Sequence, residues 1–485
     1  MPDELAHPPL AELLGDRYTE SAFERSFYRR DLGVVPPRLA ALIGDTLPQA
    51  VARPRTADEV AAILRYAAER RLAVTPRAAA TTAYWNAVPL ADGLLLDLNG
   101  LTGPVEIHEA RLTATVLPGT RWAEFDRALR RRGFAVLSYP TSAPAATVGG
   151  WLCMEGYGIG SLKYGGVQGQ LRELEAALAN GQLTRVPGAS EKPGALRATG
   201  FAGSEGTLAI ITRAELVIRR APAAIGHHLL TFPDMAAATG AAAELAAASP
   251  TPFYAHFAAE SYSRFLRRAG FTPAADSPLL AITYDGDPDE VARGDHNVGR
   301  AVAHWRGEAL SAALAQREWD ERFLALRLKR AGPSVLGAES WLPAARLADY
   351  ADGVAKLAAQ QGLPIATYGT IVAPGWATVM SLYGCDESRP LPYLLALSLT
   401  KKLYDVAFRH GGRPYGIGVW NTPYLAQAMS AEELAMRRAT KRTFDPANIL
   451  NPGKVYAPPR LLWPPTFRLG MELLAGARRV SKGWL

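Results

Sequence analysis

The hydrophobic positions in the first half of the chain alternate between two spacings. Short apolar runs at Ala50–Ala52, Leu72–Thr75 and Leu94–Leu98 have the length and flanking residues of strands. Between the first two runs, Thr56 and Glu59 form a capping box, which predicts the start of a helix. The apolar stripe of that helix consists of Val60, Ile63, Leu64 and Ala67. The pattern predicts a βαβ unit.

The chain before this unit, residues 1–47, reads as a separate helical segment. Leu10, Leu13 and Leu14 have helical spacing, and Pro36 and Pro37 are expected to end the segment. Further along, Asn180 and Gly181 mark a tight hairpin between two strand-like runs. The basic, proline-containing joint 219–224 is expected to separate two domains.

The second half repeats strands and helices with short returns. Strand-like runs at His228–Phe232, Phe253–Phe257 and Leu279–Tyr284 are separated by helical patterns, and a similar round runs from about residue 340 to 409. Such alternation favours an α+β domain built on an antiparallel sheet.

One long segment, Pro140 to Gly166, contains seven glycines and hardly any charge. A loop of this length is usually functional, and repeated glycine lets the backbone approach a ligand closely. The segment suits a large polar ligand such as a dinucleotide. Its glycines at 156, 158 and 160 are spaced G-x-G-x-G, which does not match the Rossmann pattern, and the chain has no Walker phosphate loop.

Composition excludes several other classes of protein. The net charge of +7 over 485 residues is weak evidence for nucleic-acid binding. Cys153 and Cys385 are the two cysteines of the chain, too few for an iron–sulfur or structural zinc site. The first ten residues do not resemble a signal peptide, and no apolar run is long enough to span a membrane. We therefore expect a cytoplasmic protein.

Four segments in order carry a family resemblance. They are VTPRAAATTA at 74–83, the glycine-rich segment at 140–166, FAGSEGTLAIIT at 201–212 and FDPANILNPGK at 444–454. This order resembles the vanillyl-alcohol oxidase / p-cresol methylhydroxylase flavoproteins, and within them the D-lactate dehydrogenase / glycolate oxidase large-subunit group. The resemblance implies an α+β fold, with a two-lobed FAD-binding domain of the p-cresol methylhydroxylase type and a cap domain on an antiparallel sheet.

The resemblance also divides the chain. It implies a helical segment at 1–47, the FAD-binding domain at 48–221, the cap at 222–440, a segment returning to the flavin at 441–457, and an amphipathic tail at 458–485. The tail combines aromatic residues, including Trp484, with basic ones. It is expected to contact an anionic membrane surface at the cytoplasmic face, to dock a redox partner, or to pack on its own domain.

The cofactor implied is FAD. Ala78 and Ala80 stand where the family usually has glycine, and a left-handed conformation there would cost roughly 1 kcal/mol or more. The loop contains no histidine and Cys153 reads as a small core residue, so non-covalent FAD is expected. The residues that the resemblance implies for FAD binding are Arg77, Ala78, Ala79, Ala80, Thr81, Thr82, Pro140, Thr147, Gly149, Gly150, Gly156, Gly160, Ser161, Tyr164, Glu205, Gly206, Ile210 and Asn451.

The cap departs from the family. D-2-hydroxy-acid dehydrogenases of this group usually carry a histidine-rich metal motif, whereas the matching segments, 368–383 and 411–421, lack those histidines and carboxylates. We therefore expect no metal. The replacements Arg413, Tyr415, Tyr368 and Asn421 are the catalytic candidates, because an adjacent arginine favours a tyrosinate. Packing of the cap core is the alternative role for these aromatic residues.

The function expected is an FAD-dependent dehydrogenase. It would move a hydride from the carbon of an alcohol or 2-hydroxy acid to flavin N5, and electrons would pass to a partner protein, possibly an iron–sulfur protein, or to a quinone. Two alternatives stay open. One is an oxidase or redox-neutral flavoenzyme acting on another substrate, and the other is a degenerate subunit in which flavin relays electrons or stabilises a complex.

Overall fold

A computed structural model of the chain describes residues 7–33, 35–44, 47–188, 198–456 and 459–480. Residues 1–6 of the predicted N-terminal segment and 481–485 of the predicted tail, with Trp484, lie outside the described residues. In chain order the helices are α1 (Pro8–Leu14), α2 (Ala22–Ser26), α3 (Pro37–Ile43), α4 (Ala57–Arg70), α5 (Trp122–Arg130), α6 (Val148–Cys153), α7 (Ser161–Tyr164), α8 (Met235–Ala247), α9 (Glu260–Arg268), α10 (Pro288–His304), α11 (Ala312–Asp320), α12 (Leu347–Gln361), α13 (Pro390–Arg409), α14 (Leu425–Ala428), α15 (Ala431–Phe444) and α16 (Pro464–Val480).

The strands form three sheets. In chain order they are β1 (Tyr18–Thr19), β2 (Ala50–Ala52), β3 (Ala73–Arg77), β4 (Gly93–Asp97), β5 (Glu106–His108), β6 (Thr113–Val116), β7 (Phe134–Val136), β8 (Leu171–Leu178), β9 (Leu183–Pro187), β10 (Ala209–Arg220), β11 (Ala224–Thr231), β12 (Tyr254–Ala258), β13 (Leu279–Gly286), β14 (Glu308–Ala309), β15 (Ser334–Pro343), β16 (Ala366–Ala373), β17 (Trp376–Cys385) and β18 (Arg413–Pro414). The predicted α+β fold is confirmed.

The chain divides into two compact units, which are described separately. Unit 1 comprises 1–156, 166–220 and 416–467, and unit 2 comprises 157–165, 221–415 and 468–485. The predicted glycine-rich segment is therefore split between the units. The return to unit 1 begins at Gly416, earlier than the predicted 441, because the N–H groups of Ile417 and Gly418 donate to the Glu205 carboxylate.

The first lobe of unit 1 has the order β1-β2-β4-β3, in which β2, β4 and β3 run parallel. Helix α4 connects β2 to β3 as the pattern predicts. The Thr56 hydroxyl accepts from the Glu59 N–H at 3.2 Å, so half of the predicted capping box forms. The Glu59 carboxylate instead accepts from the Arg55 N–H and pairs with Arg17.

The second lobe of unit 1 is an antiparallel sheet of order β5-β6-β10-β8-β9, with β7 also paired to β10. The predicted hairpin joins β8 to β9, with Gly181 at φ +78°. The buried face of α4 packs with Ala177 of β8 and Ile210 of β10, so one hydrophobic core holds both lobes together.

The N-terminal prediction is wrong in one respect. Pro36 and Pro37 do not simply end a helical segment, because Pro37 opens helix α3 and Pro36 precedes it. Proline is favoured at the first helical position, where its missing N–H would have no partner in the helix. The preceding residues form the short helices α1 and α2 with strand β1 between them, rather than one helix.

Unit 2 is built on an antiparallel sheet of order β14-β11-β13-β12-β16-β17-β15-β18. One face carries α8, α10, α12 and α13. There the Tyr350 hydroxyl of α12 lies 2.9 Å from the Ser381 hydroxyl of β17. Neighbouring residues of a strand point to opposite faces, so Thr367 belongs to this face and Tyr368 to the other.

The C-terminal tail includes helix α16, whose first residue is Pro464. Leu462, just before it, is buried in a core cluster of unit 1, and Phe467 packs against the same cluster. Leu469 and Leu473 are 60% and 66% exposed. Within the described residues, no helix is long and apolar enough to cross a membrane.

Candidate functional site

A row of free backbone donors follows strand β3 in unit 1. Among the described residues, the N–H groups of Ala78, Ala79, Ala80 and Thr81 donate to no protein acceptor. Ala80 has φ +51°, the left-handed conformation that the family's glycine would adopt. Successive N–H groups in such a turn form a concavity that binds anions. We call residues 78–81 the anion loop.

The anion loop is held in place by its neighbours. The Asn99 side-chain amide donates to the Ala78 carbonyl at 3.1 Å, and the Arg77 guanidinium donates to the Ala87 carbonyl at 3.2 Å. The Thr82 hydroxyl donates to the Asn86 side chain at 2.6 Å. These bonds use side chains and carbonyls, so the loop's N–H groups stay available to a ligand.

The start of helix α6 lies beside the anion loop. Thr147 caps the helix by accepting from the Gly150 N–H at 3.3 Å. A Cβ added to Gly150 would lie 3.7 Å from the Cβ of Ala78, and one added to Gly149 would lie only 2.5 Å from the Cβ of Pro118. Glycine at 149 is therefore needed for close packing. Pro140, further upstream, is buried, and its carbonyl accepts from the Ala143 N–H at 3.0 Å in the turn that precedes this helix.

A buried polar cluster in unit 1 centres on Glu205. Its carboxylate accepts from the Asn86 side chain at 2.5 Å and from the N–H groups of Ile417 and Gly418 at 3.0 and 2.7 Å. Burial raises the pKa of the Glu205 carboxyl, against the lowering effect of these donors. The next residue, Gly206, has φ +72°, and a Cβ there would lie 2.5 Å from Pro76.

Asn451 and Lys454 complete the cluster. The Asn451 amide donates to the carbonyls of Asn86 at 2.9 Å and of Glu205 at 2.7 Å. The Lys454 ammonium donates to the Asn86 carbonyl at 2.8 Å and to the Asn451 side chain at 2.5 Å. Burial lowers the pKa of Lys454 to about 7, although the carboxylates of Asp31 and Glu205 oppose this shift. Sequence analysis named Asn451 but missed Lys454, whose place in the NPGK motif was the available signal.

Backbone strain is concentrated in the same unit. Trp85, Glu205, Asn451 and Val455 all have positive φ, at +63°, +51°, +47° and +56°. A β-branched residue such as valine rarely adopts this conformation, and such strain persists only where the surroundings enforce it. The strained positions flank the polar cluster, and such clustering is typical of functional sites.

Other predicted cofactor residues fall in unit 2. Gly160, Ser161 and Tyr164 belong to the stretch 157–165, which we call the strap. The Gly160 N–H donates to the Phe253 carbonyl at 3.0 Å, and the ring of Tyr164 lies 6.3 Å from that of Phe253. The Lys163 ammonium anchors the strap by pairing with Glu290 at 2.7 Å and Asp285 at 3.3 Å.

The catalytic candidates Arg413 and Tyr415 lie beside one tryptophan of unit 2. The Tyr415 ring is stacked on Trp341 at 6.0 Å, and the Arg413 guanidinium lies 5.6 Å from the Trp341 centroid. The Tyr415 hydroxyl accepts from the Tyr157 N–H at 2.9 Å and donates to the Tyr157 carbonyl at 3.3 Å. Its proton is therefore engaged in a backbone hydrogen bond, which favours a neutral, positioning tyrosine over a tyrosinate.

The other two candidates are buried. The Tyr368 hydroxyl donates to the Met380 sulfur at 3.0 Å, and burial raises the pKa of Tyr368 well above 10, so it stays protonated. Asn421 belongs to unit 1, where its amide donates to the Gly416 carbonyl at 2.7 Å. Both side chains are satisfied by the protein, which favours the alternative packing role.

Sequence analysis missed His256, which lies beside Tyr368 at a ring distance of 6.0 Å. Burial lowers the pKa of His256 to about 4, so its imidazole is neutral at neutral pH. It also lines a narrow cavity with Tyr262, Arg317 and Glu318. Side chains of the predicted strand 253–257 alternate between the two faces of the sheet, so the sequence could have assigned His256 to one of them.

Two family models match this chain, one after the other. The FAD binding domain model matches residues 48–187, and the model of the C-terminal domain of FAD linked oxidases matches residues 221–455. The chain belongs to the FAD-linked oxidase family. It is an FAD-linked oxidoreductase of the class that acts on CH–OH groups. The resemblance predicted from its motifs is confirmed.

Two relatives and one solved structure support this family assignment. The chain is 28% identical over 436 residues to the glycolate oxidase subunit GlcD of Bacillus subtilis, covering 85% of this chain and 90% of that protein. It is 28% identical over 448 residues to D-lactate dehydrogenase of Archaeoglobus fulgidus, covering 87% and 94%. A structure of p-cresol methylhydroxylase with substrate bound shares the fold, with a TM-score of 0.75 at 15% identity over 92% of this chain and 95% of that chain.

The residues of this FAD-linked oxidoreductase fit the cofactor. The free N–H groups of the anion loop suit the pyrophosphate, since main-chain donors in a left-handed turn bind phosphate oxygens. Burial raises the pKa of the Cys153 thiol to about 12, so no thiolate is available there for a covalent link to flavin. Among the described residues, no group of three or more histidine, cysteine, aspartate or glutamate side chains could hold a metal.

Replacing Ala80 with glycine is expected to stabilise the flavin-binding unit by up to about 1 kcal/mol. The left-handed conformation costs alanine roughly 1–2 kcal/mol, and the greater freedom of glycine in the unfolded chain offsets part of the gain. Ala78→Gly is the matched control in the same loop. Ala78 is absent from the residues with positive φ, so its replacement should destabilise. Urea unfolding of both variants measures the difference, and equal effects would contradict the assignment.

Acid is expected to destabilise unit 2 through two half-buried histidines. Burial lowers the pKa of both His256 and His227 to about 4, whereas an unfolded histidine has a pKa of about 6.5. The unfolded chain therefore binds more protons, and stability present above pH ~6.5 is lost as the pH falls towards ~4, by about 1–3 kcal/mol for His256. Tryptophan fluorescence during urea unfolding should show a flatter pH dependence for His256→Leu than for the unchanged protein.

Proposed function

We propose that this protein is an FAD-dependent dehydrogenase of a 2-hydroxy acid. The observation that carries the proposal is the exposed Arg413 guanidinium above Trp341 in the cap unit. Within the described part of the chain, this guanidinium has no ion-pair or hydrogen-bond partner in the protein. Arginine binds carboxylates with two parallel hydrogen bonds, so it suits the acid group of the substrate.

The proposed reaction converts the hydroxyl carbon to a carbonyl. That carbon loses a hydride and the hydroxyl releases its proton to solvent water, while bound FAD supplies the two-electron acceptor. Arg413 orients the substrate through its carboxylate. Tyr415 fixes the backbone of Tyr157, and with it one end of the strap, through two hydrogen bonds. The family's metal motif is absent from the sequence, so the arginine takes over the carboxylate-binding role.

We propose that the electrons then leave to a separate protein or a quinone. The chain carries two cysteines, too few to ligate an iron–sulfur cluster of its own. The Bacillus subtilis relative is named as a subunit, which supports a protein partner. The exposed leucines of α16, Leu469 and Leu473, support contact with that acceptor or with a membrane surface. Changing Leu469 and Leu473 to glutamate should abolish sedimentation with anionic vesicles if the membrane is the contact.

Anaerobic titration of the purified holoenzyme tests the activity. A 2-hydroxy acid should bleach the visible flavin absorbance, and added quinone or acceptor protein should restore it. Rapid restoration by oxygen with release of peroxide would instead identify an oxidase. Failure of every 2-hydroxy acid and simple alcohol to bleach the flavin would overturn the proposal and favour a relay subunit.

The flavin is expected to be held without a covalent bond. The anion loop has no histidine, and the Cys153 thiol is protonated at neutral pH because burial raises its pKa to about 12. Acid precipitation of the holoenzyme should therefore leave all the visible absorbance in the supernatant. Flavin that stays with the precipitated protein and survives proteolysis on one peptide would contradict this expectation.

A further inference from the structure

Strands β15 and β17 present two unlike faces in unit 2. Ser340, Leu342 and Val379 are fully buried on the face that carries the helices. The residues between them point to the opposite face, where Trp341 is half-buried and Trp376 is 39% exposed. This second face therefore presents two partly exposed tryptophans on which a small molecule can bind.

Aromatic side chains cluster on that face around Trp341. The Tyr157 ring meets it edge-on at 4.6 Å, the Tyr415 ring is stacked at 6.0 Å, and the Trp376 ring lies edge-on at 6.4 Å. We call these four residues the aromatic surface. The two hydrogen bonds between Tyr415 and Tyr157 fix part of it in advance. A preformed, partly exposed group of aromatic rings is typical of a ligand site.

The charge beside the aromatic surface restricts the ligand. Arg413 pairs with Trp341 across β18 and β15, and its guanidinium lies above the Trp341 ring. One arginine with no ion-pair partner among the described residues suits one substrate carboxylate. The arrangement favours a monocarboxylic acid with an apolar group.

We propose that the substrate is a 2-hydroxy monocarboxylic acid with an aryl or comparably large apolar side chain. Its carboxylate pairs with Arg413, and its side chain packs on the aromatic surface. This inference rests on the proposed function and names the substrate class of the same site. A substrate as small as glycolate or lactate would leave Trp341 and Trp376 exposed to water. Burying a larger side chain removes that apolar surface from water, which adds binding energy.

Steady-state kinetics of the holoenzyme with a quinone acceptor test the size preference. The substrates are glycolate, both enantiomers of lactate and both enantiomers of 3-phenyllactate. We expect kcat/KM for one phenyllactate enantiomer to exceed that for either lactate by about tenfold or more, the range that added apolar contact achieves in enzymes. The product is the 2-oxo acid, with two electrons delivered to the quinone.

Binding is measured separately with phenylacetate, which has the carboxylate and ring but no hydroxyl to oxidise. It should quench tryptophan fluorescence and compete with the substrate. Trp341→Leu should reduce the preference for phenyllactate over lactate to below about threefold, because the stacking ring is lost. Arg413→Lys keeps the charge but loses the planar fork, so it should weaken phenylacetate binding about tenfold while preserving the size preference.

A matched control comes from the same unit. Arg330 also lies over an aromatic ring, 5.5 Å from the centroid of Phe271, and Arg330→Met should change neither kinetics nor phenylacetate binding. Equal or better activity with glycolate and lactate would overturn the inference but leave the proposed dehydrogenase intact. No flavin reduction by any of these acids would overturn the dehydrogenase itself. Phenylacetate binding that survives both Trp341→Leu and Arg413→Lys would also reject this surface.

Discussion

Replacing Lys454 with methionine is expected to lower the free energy of unfolding of the flavin-binding unit by about 1–3 kcal/mol, the cost of leaving buried acceptors without a donor. The ammonium is buried and donates to the Asn86 carbonyl and the Asn451 side chain. Methionine has nearly the same shape but no donor, so both acceptors would lose a partner. The carboxylates of Glu205 and Asp31 would also lose a neighbouring positive charge, and a buried charge without compensation is costly.

The flavin should be lost together with stability. Glu205 holds the N–H groups of Ile417 and Gly418, so the cluster connects the SEGT segment to the chain's return at 416. We expect Lys454→Met to purify with less FAD per protein and to unfold at a lower urea concentration. Lys329→Met, in unit 2, is the control for removal of a lysine and should change neither measurement.

A double-mutant cycle separates charge from shape. If uncompensated charge causes the loss, adding Glu205→Gln to Lys454→Met should cost less than the two single changes together, by about 0.5–3 kcal/mol. Strict additivity would mean that Lys454 acts only through its two hydrogen bonds. A wild-type unfolding midpoint for Lys454→Met would reject the cluster as a source of stability.

Local sequence signals predicted the parts of the fold that depend on local structure. The capping residue Thr56 and the apolar stripe behind it located α4, and the run at 50–52 located β2. The four motifs identified the cofactor because their order is a property of the sequence itself. The left-handed conformation of Ala80 was the open question, and the structure adopts it despite the Cβ.

Contacts distant in sequence could not be predicted in this way. The strap residue Tyr157 meets Tyr415 across 258 positions, and Asn451 meets Glu205 across 246. Neither pair has a local pattern that marks it. The glycine-rich segment was therefore interpreted as one loop. The contacts of Tyr157 and Gly160 place its second part, the strap, in unit 2. His256 was missed for the same reason, because only the sheet brings it beside Tyr368.

Replacing Gly156 with alanine should destabilise the flavin-binding unit by about 3 kcal/mol, the upper end for overpacking. An added Cβ would lie 1.9 Å from the indole nitrogen of Trp151 and 2.3 Å from two of its carbons. The ring cannot move aside easily, because it packs edge-on against Trp122 at 5.0 Å. The Gly156 N–H also donates to the Trp151 carbonyl at 3.2 Å, so the backbone is held as well.

Gly169→Ala is the matched control, thirteen residues further along the chain. A Cβ there would meet no atom within 4 Å, and its φ lies outside the left-handed range. This change should be neutral or slightly stabilising, since alanine restricts the unfolded chain. Urea unfolding and the ratio of FAD to protein are the two measurements. If Gly156→Ala matched Gly169→Ala in both, close packing against Trp151 would not be what requires glycine at 156.

A second substitution identifies the atoms responsible. Trp151→Leu removes the indole that the new Cβ would overlap, at the cost of a cavity beside Trp122. Gly156→Ala in that background should therefore cost much less than it does alone. A large residual cost would point to the backbone conformation of Gly156 instead of the ring. In that case Gly156 would be required for its backbone freedom. The clash with Trp151 predicts instead that Gly156 is required because it has no side chain.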